Sequence, residues 1–370
     1  MPNPDYSDRV MLWFLSELSS FGPSSVRRLR KSVAHLADIL SMDDLLLVSA
    51  GLNENQVGAI RDSSERVKDL PEKMKQFEQL GIRFLIPEDK EWPLRLSRIP
   101  DPPNGIFVYG MVPDDNTPSV SMIGSRNATN YGTRMSEFFS GEFARKGISV
   151  ISGMAVGIDG SSQRGALKAG GKSFAVLGNG VNICYPKENY DIYRIMSEGK
   201  KGGIISEFPP GTPPLRYHFP ARNRIIAALS DILIVVEAGG IKSGSQITIN
   251  FALSQGKDIY AVPGRITDPL SRGCNDLLKN GAAVLTTPDD IYEAIGMIRE
   301  RKLIVPEKKT ADFNEEEKKI YGILGEEPHF VDDIVRLTSL PPGKVMSVLL
   351  KLELDGFVVQ TSGNYYAAVY

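Results

Sequence analysis

The chain is poor in cysteine and in histidine. Its two cysteines, Cys184 and Cys274, are too few for a disulfide framework and suit a reducing compartment. The three histidines, His35, His218 and His329, stand far apart along the chain, which disfavours a His/Cys metal cluster. We therefore predict no bound metal and no fold held together by disulfides.

Long apolar runs and an excess of basic charge are also missing. No apolar run approaches the ~20 residues of a membrane span, and the N-terminus carries acids instead of the basic start of a signal peptide. These absences predict a cytoplasmic protein with no membrane partner. The formal net charge is -2 for 370 residues, so any nucleic-acid site must be a local basic patch.

The N-terminal residues, 1–82, carry apolar side chains at helical spacing, interrupted by glycine-containing turns. This pattern predicts a helical domain of the sterile-alpha-motif or helix-hairpin-helix kind. One of its helices is basic, and two interpretations stay open: contact with DNA phosphates, or a solvated face of a helical adaptor. The basic residues are Arg27, Arg28, Arg30 and Lys31.

Residues 83–117 are rich in proline, which excludes a regular helix. We predict an extended proline-rich connection laid against the next domain. Trp92 would serve there as a packing anchor.

Residues 118–300 alternate short apolar strands with helical segments. A spacing of about 25 residues between most strands is typical of βαβ units, and near-continuous apolar strands indicate a parallel sheet buried on both faces. The fold class is therefore α/β with a mostly parallel sheet. The predicted strands are Val120–Ile123, Ser149–Ile151, Phe174–Leu177, Gly203–Ile205, Ile232–Val236, Ile259–Val262 and Ala283–Leu285.

Glycine-rich or small-residue turns follow five of these strands. Right-handed crossovers bring the C-termini of parallel strands to one edge of the sheet, where open α/β sheets bind ligands. The first turn, with Gly124, Ser125 and Arg126 ahead of a helix, suits a phosphate. We predict an anionic or nucleotide-like ligand on this edge, which we call the lip. Its turns are GSRNAT (124–129), SGMAVGIDG (152–160), LGNGVNICYPKEN (177–189), EAGGIKSGSQIT (237–248) and VPGR (262–265).

A proline-rich segment after the fourth strand of this series leads into a helix whose first turn holds Arg222, Asn223 and Arg224. Positive charge at a helix N-terminus opposes the helix dipole, which favours an anionic ligand as the reason for these arginines. The alternative is that they bond the proline loop and close it. The basic residues expected at the lip are Arg126, Lys187, Arg222, Arg224 and Lys242.

Eight motifs follow one another in the order of a known family: GSRNATNYG, SGMAVGID, LGNGVNICYPKEN, SEFPPGTPP, FPARNRIIAALS, SGSQIT, VPG and GCNDLLKNGA. Over roughly residues 85–290 the chain resembles the DNA-processing protein A (DprA, or Smf) family. The resemblance implies an extended Rossmann-like fold, a homodimer through that domain, no catalysis and no cofactor. It also implies that incoming single-stranded DNA is bound, protected and loaded with the RecA recombinase in natural transformation.

Motif by motif, the resemblance places single-stranded DNA against the lip. Tyr185, Tyr217 and Phe219 are available to stack on bases, although each could equally belong to the core. The residues implied in DNA binding are Gly124, Ser125, Arg126, Asn127, Gly153, Gly157, Gly178, Lys187, Asn189, Arg222, Asn223, Arg224, Lys242, Ser243, Gly244 and Ser245.

An enzyme is the less favoured alternative. Where many family members carry alanine–histidine this chain has Ser162 and Gln163, and glutamine cannot titrate in place of histidine. Related phosphoribohydrolases carry a catalytic glutamate after a glycine loop, whereas residues 239–253 offer no carboxylate. Asp159, expected as a helix N-cap, and Glu207, expected to hold Arg222 or Arg224, do not form an acid–base pair. A nucleotide sensor or nucleotide-processing enzyme on the same lip stays open.

Residues 301–312 are predicted to be a charged linker, and residues 313–370 three helices and a hairpin, with Ser362-Gly363-Asn364 at its tip. That order predicts a winged-helix domain. From residue 311 to residue 370 ten acids stand against five bases, near -5, and the third helix offers only Lys344 and Lys351 to DNA phosphates. This charge favours a protein-interaction or regulatory role over the reading of duplex DNA.

Overall fold

The structure is a computed structural model that describes residues 6–240, 244–297, 313–324, 328–355, 357–360 and 364–368. Contacts divide the chain into two units, Met1–Met297 and Ile298–Tyr370. Of the predicted DNA-binding residues, Lys242 and Ser243 lie outside the described part of the chain.

The N-terminal residues form short helices, as their spacing predicts. Side chains cap them: Ser7 accepts from Val10 N at the first helix, and Asn53 and Gln56 form a capping box at the fourth. Their apolar faces surround Trp13, which is 1% exposed. The helices are α1 (Asp8–Glu17), α2 (Pro23–Ser32), α3 (Asp44–Ser49), α4 (Glu54–Ser63) and α5 (Leu70–Gln79), with 3-10 turns at Leu36–Leu40 and Ser64–Asp69.

The segment predicted as an extended connection contributes two strands to the main sheet. Strand β1 (Ile82–Leu85) pairs antiparallel with β2 (Ile106–Gly110). Between them Trp92 is buried and donates from Nε1 to Ser97 Oγ (2.9 Å), so it is the packing anchor that the sequence predicts. The density of prolines hid the strands, because the prolines lie in the segment between them, where they remove no hydrogen bond from the sheet. That segment also contains one short helix, Leu94–Ser97, which the sequence analysis wrongly excluded.

One nine-stranded sheet has the order β1-β2-β6-β5-β4-β3-β7-β8-β9. Strands β3 to β9 are mutually parallel, which confirms the predicted α/β class, and β2 pairs antiparallel with β6. The order reverses at β3, and ligands bind beyond the C-terminal ends of strands at such a switch point. The parallel strands are β3 (Ser119–Ile123), β4 (Ser149–Ser152), β5 (Ser173–Leu177), β6 (Gly202–Ser206), β7 (Ile232–Val235), β8 (Asp258–Ala261) and β9 (Ala283–Val284).

Helices cover both faces of this sheet, so its strands are apolar along nearly their whole length. No helix in the described ranges is both long and apolar enough to span a membrane. The helices of this part are α6 (Leu94–Ser97), α7 (Asn130–Arg145), α8 (Ile158–Lys168), α9 (Tyr190–Ser197), α10 (His218–Leu229), α11 (Ser245–Ser254), α12 (Arg272–Lys279) and α13 (Pro288–Ala294), with a 3-10 turn at Lys187–Asn189.

The second unit has the predicted winged-helix order of three helices and a small sheet, ordered β10-β12-β11. Its core includes Ile320, Ile334 and Leu349, one from each helix and all fully buried. Of the predicted hairpin tip, Asn364 is described, and it takes a left-handed backbone (φ 64). The elements are α14 (Glu315–Tyr321), β10 (His329–Phe330), α15 (Val331–Thr338), α16 (Pro342–Leu354), β11 (Val358–Gln360) and β12 (Tyr365–Ala368).

Candidate functional site

The turns after β3 and β4 are joined by backbone contacts at the predicted lip. Ile158 N donates to Ser125 O (3.2 Å), so the start of α8 rests on the first turn. Gly157 has φ +81, and a Cβ there would lie 2.3 Å from Ser125 O. Glycine is therefore required at this position, both for its backbone angle and for the close approach of the two turns.

Glu237, which follows β7, is a lip residue that the sequence analysis did not single out. It is 2% exposed, and its carboxylate accepts from Thr129 N (2.9 Å) and from Thr129 Oγ1. Its backbone oxygen accepts from Ser125 N (2.8 Å). Glu237 thus joins the turn after β7 to the turn after β3 across the switch point. The available signal was an acid placed directly after a buried strand.

Arg126 is exposed at the first turn and belongs to a cluster with two aromatic rings. Its guanidinium carbon lies 5.7 Å from the centroid of the Phe219 ring, and the Tyr185 ring lies 5.8 Å from the same ring. Tyr185 is 42% exposed and Phe219 half-buried. An aromatic face can hold a guanidinium while its N–H groups still reach an anion. The cluster therefore puts charge and stacking surface together.

Arg222 lies beneath this cluster and is 5% exposed. Its guanidinium carbon is 5.8 Å from the Phe219 centroid, and Nη1 donates to Gly153 O (2.8 Å) and to Val176 O. Burial lowers the pKa of Arg222 to about 10, although the charge of Asp159 opposes the shift. Arg222 therefore joins the ends of β4 and β5 and brings positive charge under the lip.

Asp159 is not the helix N-cap that the sequence predicts. The helix α8 begins at Ile158, two residues earlier than an Asp159 cap would place it, and the Asp159 carboxylate turns back to accept from Gly153 N (3.1 Å). Burial raises the pKa of Asp159, against the opposing effect of Arg222. The glycine-specific backbone angle at residue 157 allows the helix to start there, a tertiary feature that the local capping pattern does not encode.

Arg224 closes the proline loop, as the alternative interpretation has it. It is 4% exposed, and Nη2 donates to Glu207 Oε1 (2.7 Å) while Nε donates to Asp101 O (2.9 Å). Glu207 thus holds Arg224. The neighbouring Asn223 accepts from Arg222 Nε through Oδ1 (3.1 Å). Burial and intrachain bonds give both arginines of the pair a structural role in this chain.

The remaining predicted residues divide into exposed and buried positions. Asn127, Lys187 and Gly244 are exposed, whereas Gly178 and Ser245 are buried. Asn189 is also buried: its Nδ2 donates to Met154 O (2.9 Å) and Ala155 O (3.0 Å), and its Oδ1 accepts from Arg164 Nη2 (3.0 Å). Two exposed arginines outside the predicted DNA-binding set lie on loops at the same edge: Arg216 and Arg265.

Three acids at this edge are bonded to this chain: Asp159 to Gly153, Glu207 to Arg224, and Glu237 to Thr129; a further acid, Glu188, is exposed in the turn after β5. No group of three or more His, Cys, Asp or Glu side chains that could hold a metal occurs among the residues that the structure describes. General acid–base catalysis needs a carboxyl group within reach of a substrate proton. The absence of catalysis stays a prediction, and these bonds give all three acids a structural role.

An open α/β sheet with a glycine-lined switch point, together with a winged-helix unit, defines a Rossmann-like protein with an accessory domain. The family model described as "DNA recombination-mediator protein A" matches residues 83–296, and the model described as "DprA winged helix domain" matches residues 305–364. The chain belongs to the DNA recombination-mediator protein A (DprA/Smf) family.

Named relatives agree with this assignment. Protein Smf of Escherichia coli is 34% identical over 363 residues, which cover 96% of this chain and 94% of that protein. The X-ray structure of DprA from Streptococcus pneumoniae matches with a TM-score of 0.65 at 29% identity, over 77% of this chain and 97% of that one. A Helicobacter pylori DprA structure, whose description concerns its single-stranded DNA binding mode, matches with a TM-score of 0.51 at 27% identity, over 58% of this chain and 96% of that one.

Proposed function

We propose that this protein is a cytoplasmic recombination mediator that binds single-stranded DNA along the lip. It protects the incoming strand and loads RecA onto it in natural transformation, as a homodimer through the Rossmann-like domain and without a cofactor. The observation that carries the proposal is the Arg126–Phe219–Tyr185 cluster, in which an exposed guanidinium stands beside exposed aromatic surface. Family membership and the single-stranded DNA binding described for the Helicobacter pylori relative support it.

The exposed and buried lip residues have different parts in this proposal. Arg126 and Lys187, both exposed, contact phosphates directly, and Asn127 and Gly244 lie on the same surface. Arg222 acts from below, because a buried cation in a region of low dielectric strengthens the field at the surface above it. Backbone N–H groups of the glycine turns add donors to the phosphates.

The remaining members of the proposed surface shape it. Gly124, Gly153, Gly157 and Gly178 let the turns pack closely on one another, because a Cβ at any of them would lie within 3.0 Å of another residue of the chain, and Ser125 joins two of these turns through its backbone. Asn189, Asn223, Arg224 and Ser245 hold the turns in place, and Lys242 and Ser243, which lie outside the described residues, remain predicted members of the DNA-binding set.

Selectivity for single strands follows from the aromatic rings. Tyr185, the exposed ring of the cluster, can stack only on a base whose faces are free, and each base stacked on an aromatic ring contributes ~1–3 kcal/mol. In a duplex those faces are covered by neighbouring bases. The phosphate contacts alone would not distinguish the two forms of DNA.

The test is fluorescence anisotropy of a labelled oligo-dT, with duplex DNA and dTMP as competitors. Arg126→Glu is expected to weaken binding by at least about tenfold, or ~1.4 kcal/mol. Arg145→Glu is the matched control, because Arg145 is exposed at the end of α7, on the opposite edge of the sheet. Equal affinities for the two variants would contradict the proposed site. Displacement of the oligonucleotide by dTMP would favour a nucleotide sensor.

RecA loading needs its own experiment. RecA assembly is followed on an oligonucleotide already coated with single-strand binding protein, with and without this protein. We expect faster assembly with the wild type and no acceleration with Arg126→Glu. An unchanged rate with a wild type that binds the oligonucleotide would remove RecA loading from the proposal and leave DNA binding intact.

A further inference from the structure

A cavity of about 570 Å3 lies between the N-terminal helices and the proline loop that follows β6. We call it the side cavity. Its N-terminal wall is mostly apolar and includes Leu15 and Phe21 beside the charged residues Glu17 and Lys73. Its opposite wall carries Phe208, Tyr217 and His218, and the rings of Phe208 and His218 stack with their centroids 3.8 Å apart. Ligand sites for small planar molecules have this size and this predominance of apolar and aromatic walls.

The side cavity continues the edge of the sheet that forms the lip. The lip turns follow β3, β4 and β5, and the proline loop follows β6, the next strand in the sheet. Neighbouring strands lie ~4.8 Å apart, so the loop after β3 and the loop after β6 are separated by about 14 Å. A bound strand only a few nucleotides long therefore reaches from Arg126 to the side cavity.

The first turn of α10 lies between the lip and the side cavity. His218 and Phe219 are consecutive at the start of α10: His218 lines the side cavity, whereas Phe219 contacts Arg126. Tyr217, 67% exposed, stands at the same turn with its ring 4.6 Å from His218. A nucleotide next to one held at Arg126 would thus lie beside the side cavity.

The side cavity also holds polar groups that could pair with the edge of a base. Glu17 and Lys73 form an ion pair (2.6 Å), and Asn104 donates from Nδ2 to Pro23 O (3.1 Å). All four residues line the cavity. A carboxylate, an ammonium and an amide each keep further donors or acceptors after one such bond, and these match the donors and acceptors of a nucleobase.

We propose that the side cavity receives a nucleobase of the single strand held by the lip. This inference rests on the proposed function, because the strand must first be bound at Arg126. A free nucleotide carries the same base, so the experiment must separate the two sources.

The first arm needs no protein variant. An oligo-dT carries one 2-aminopurine, moved position by position along the strand, and its fluorescence is recorded with the wild-type protein. We expect one position whose emission changes at least twofold more than that of its neighbours and is protected from acrylamide. A uniform profile along a tightly bound strand would overturn the inference and leave the proposed function standing. No binding at all would overturn both.

The second arm fills the cavity from the wall that does not touch the lip. Ser19 is exposed and lines the cavity, whereas Ser24 is exposed on α2 and is not a lining residue. Ser19→Trp is expected to weaken oligo-dT binding about fivefold or more, as loss of one stacked base would, and Ser24→Trp to leave it unchanged.

An abasic site gives the decisive comparison. In the wild type, an abasic site at the position found with 2-aminopurine should weaken oligo-dT binding by the same factor as Ser19→Trp does. In Ser19→Trp, the abasic site should weaken binding no further, because the cavity is already filled. If the two losses of affinity instead multiply, the inference is overturned. Competition by free dTMP at the 2-aminopurine position, without release of the strand, would assign the cavity to a free nucleotide and overturn it as well.

Discussion

Both the lip and α16, the third helix of the winged-helix unit, carry basic residues. The two lysines of α16 are in ion pairs, whereas Arg126 of the lip is not paired with any described residue. On α16, Lys344 pairs with Glu316 (3.0 Å) and Lys351 with Glu317 (2.7 Å). The hydrogen bond from Lys351 holds the pKa of Glu317 below its ordinary value. On the lip, Arg126 contacts an aromatic ring and forms no ion pair with any residue that the structure describes. A count of bases in a segment therefore does not tell how many can bind a phosphate.

The outward surface of α16 is apolar where a DNA-reading helix would be basic. Met346, Leu350 and Leu354 follow one another at four-residue spacing and are 43%, 57% and 80% exposed. Such a stripe is typical of a protein-binding surface. Together with the ion pairs of its two lysines, it supports the predicted protein-interaction or regulatory role of this unit.

The largest effect should come from the buried cation of the lip. Arg222→Leu removes the positive charge near the buried Asp159 carboxylate and leaves Gly153 O and Val176 O without this donor, and each buried acceptor left unsatisfied costs about 1–3 kcal/mol. Urea unfolding is expected to show this loss together with lost oligo-dT binding. Arg222→Leu/Asp159→Asn, which removes both charges, should recover part of the stability. If the double variant is no more stable than the single one, the charge argument fails.

The exposed cations should affect binding without affecting stability. Lys187→Glu is expected to weaken oligo-dT binding about tenfold, or ~1.4 kcal/mol, at an unchanged urea midpoint. Lys172→Glu is the matched control, because Lys172 is exposed just before β5, at the other edge of the sheet. Similar binding losses in the two variants would show that overall charge, and not the lip, determines affinity.

The ion pair between Arg9 and Asp89 should make the stability of the protein depend on pH. The hydrogen bond from Arg9 holds the pKa of Asp89 below its ordinary value, and the pair (2.5 Å) joins α1 to the loop after β1. An acid whose pKa is lowered on folding stabilises the folded state fully at pH values above its ordinary pKa. This stabilisation is lost as the pH falls through the lowered pKa of the folded state. Asp89→Asn should therefore cost about 1 kcal/mol at pH 7, and the difference should shrink towards pH 3.

Urea unfolding at pH 7, pH 5 and pH 3 measures this prediction. Asp62→Asn is the control, because Asp62 is exposed on α4 and forms no ion pair with any described residue. A deficit that stays constant over this pH range would contradict the role of the Arg9–Asp89 pair.

The smallest effect should come from α16. Replacement of Lys344 and Lys351 by glutamine is expected to change duplex or single-strand affinity less than twofold. Stability should change by at most about 0.5 kcal/mol for the exposed Lys344–Glu316 pair and by about 1 kcal/mol for Lys351, whose partner Glu317 is buried. Anisotropy with both DNA forms measures the affinities. A tenfold loss of affinity would give this helix a direct DNA-binding role and break the contrast with the lip.

The seven parallel strands were predictable because each is a short apolar run between helical segments, and buried parallel strands carry such runs. Strands β1 and β2 were not, because Pro87 to Pro103 dominate the local pattern and the pairing of β2 with β6 depends on residues far away in the chain. The winged helix followed from the order of its helices and hairpin.

The sequence predicts that the site lies at the C-terminal edge of the parallel strands, but it does not predict which of its side chains are exposed. The glycine turns mark where the backbone comes close, and Arg126 stands in one of them. The local sequence does not indicate that Arg222 is buried and bonded to Gly153 O whereas Arg126 is exposed. The burial of a side chain depends on strands that are distant in the sequence and pack around it. The same holds for Glu237, whose partner Thr129 lies across the switch point.

The most direct test of the central claim is the salt dependence of oligo-dT binding, in the wild type and in Arg126→Ala. For single strands the slope of log K against log salt changes by about 0.7 for each phosphate contact. The account predicts a steep slope for the wild type and a slope shallower by about that amount for the variant. Parallel lines for the two proteins would contradict it, because Arg126 would then not be neutralising a phosphate.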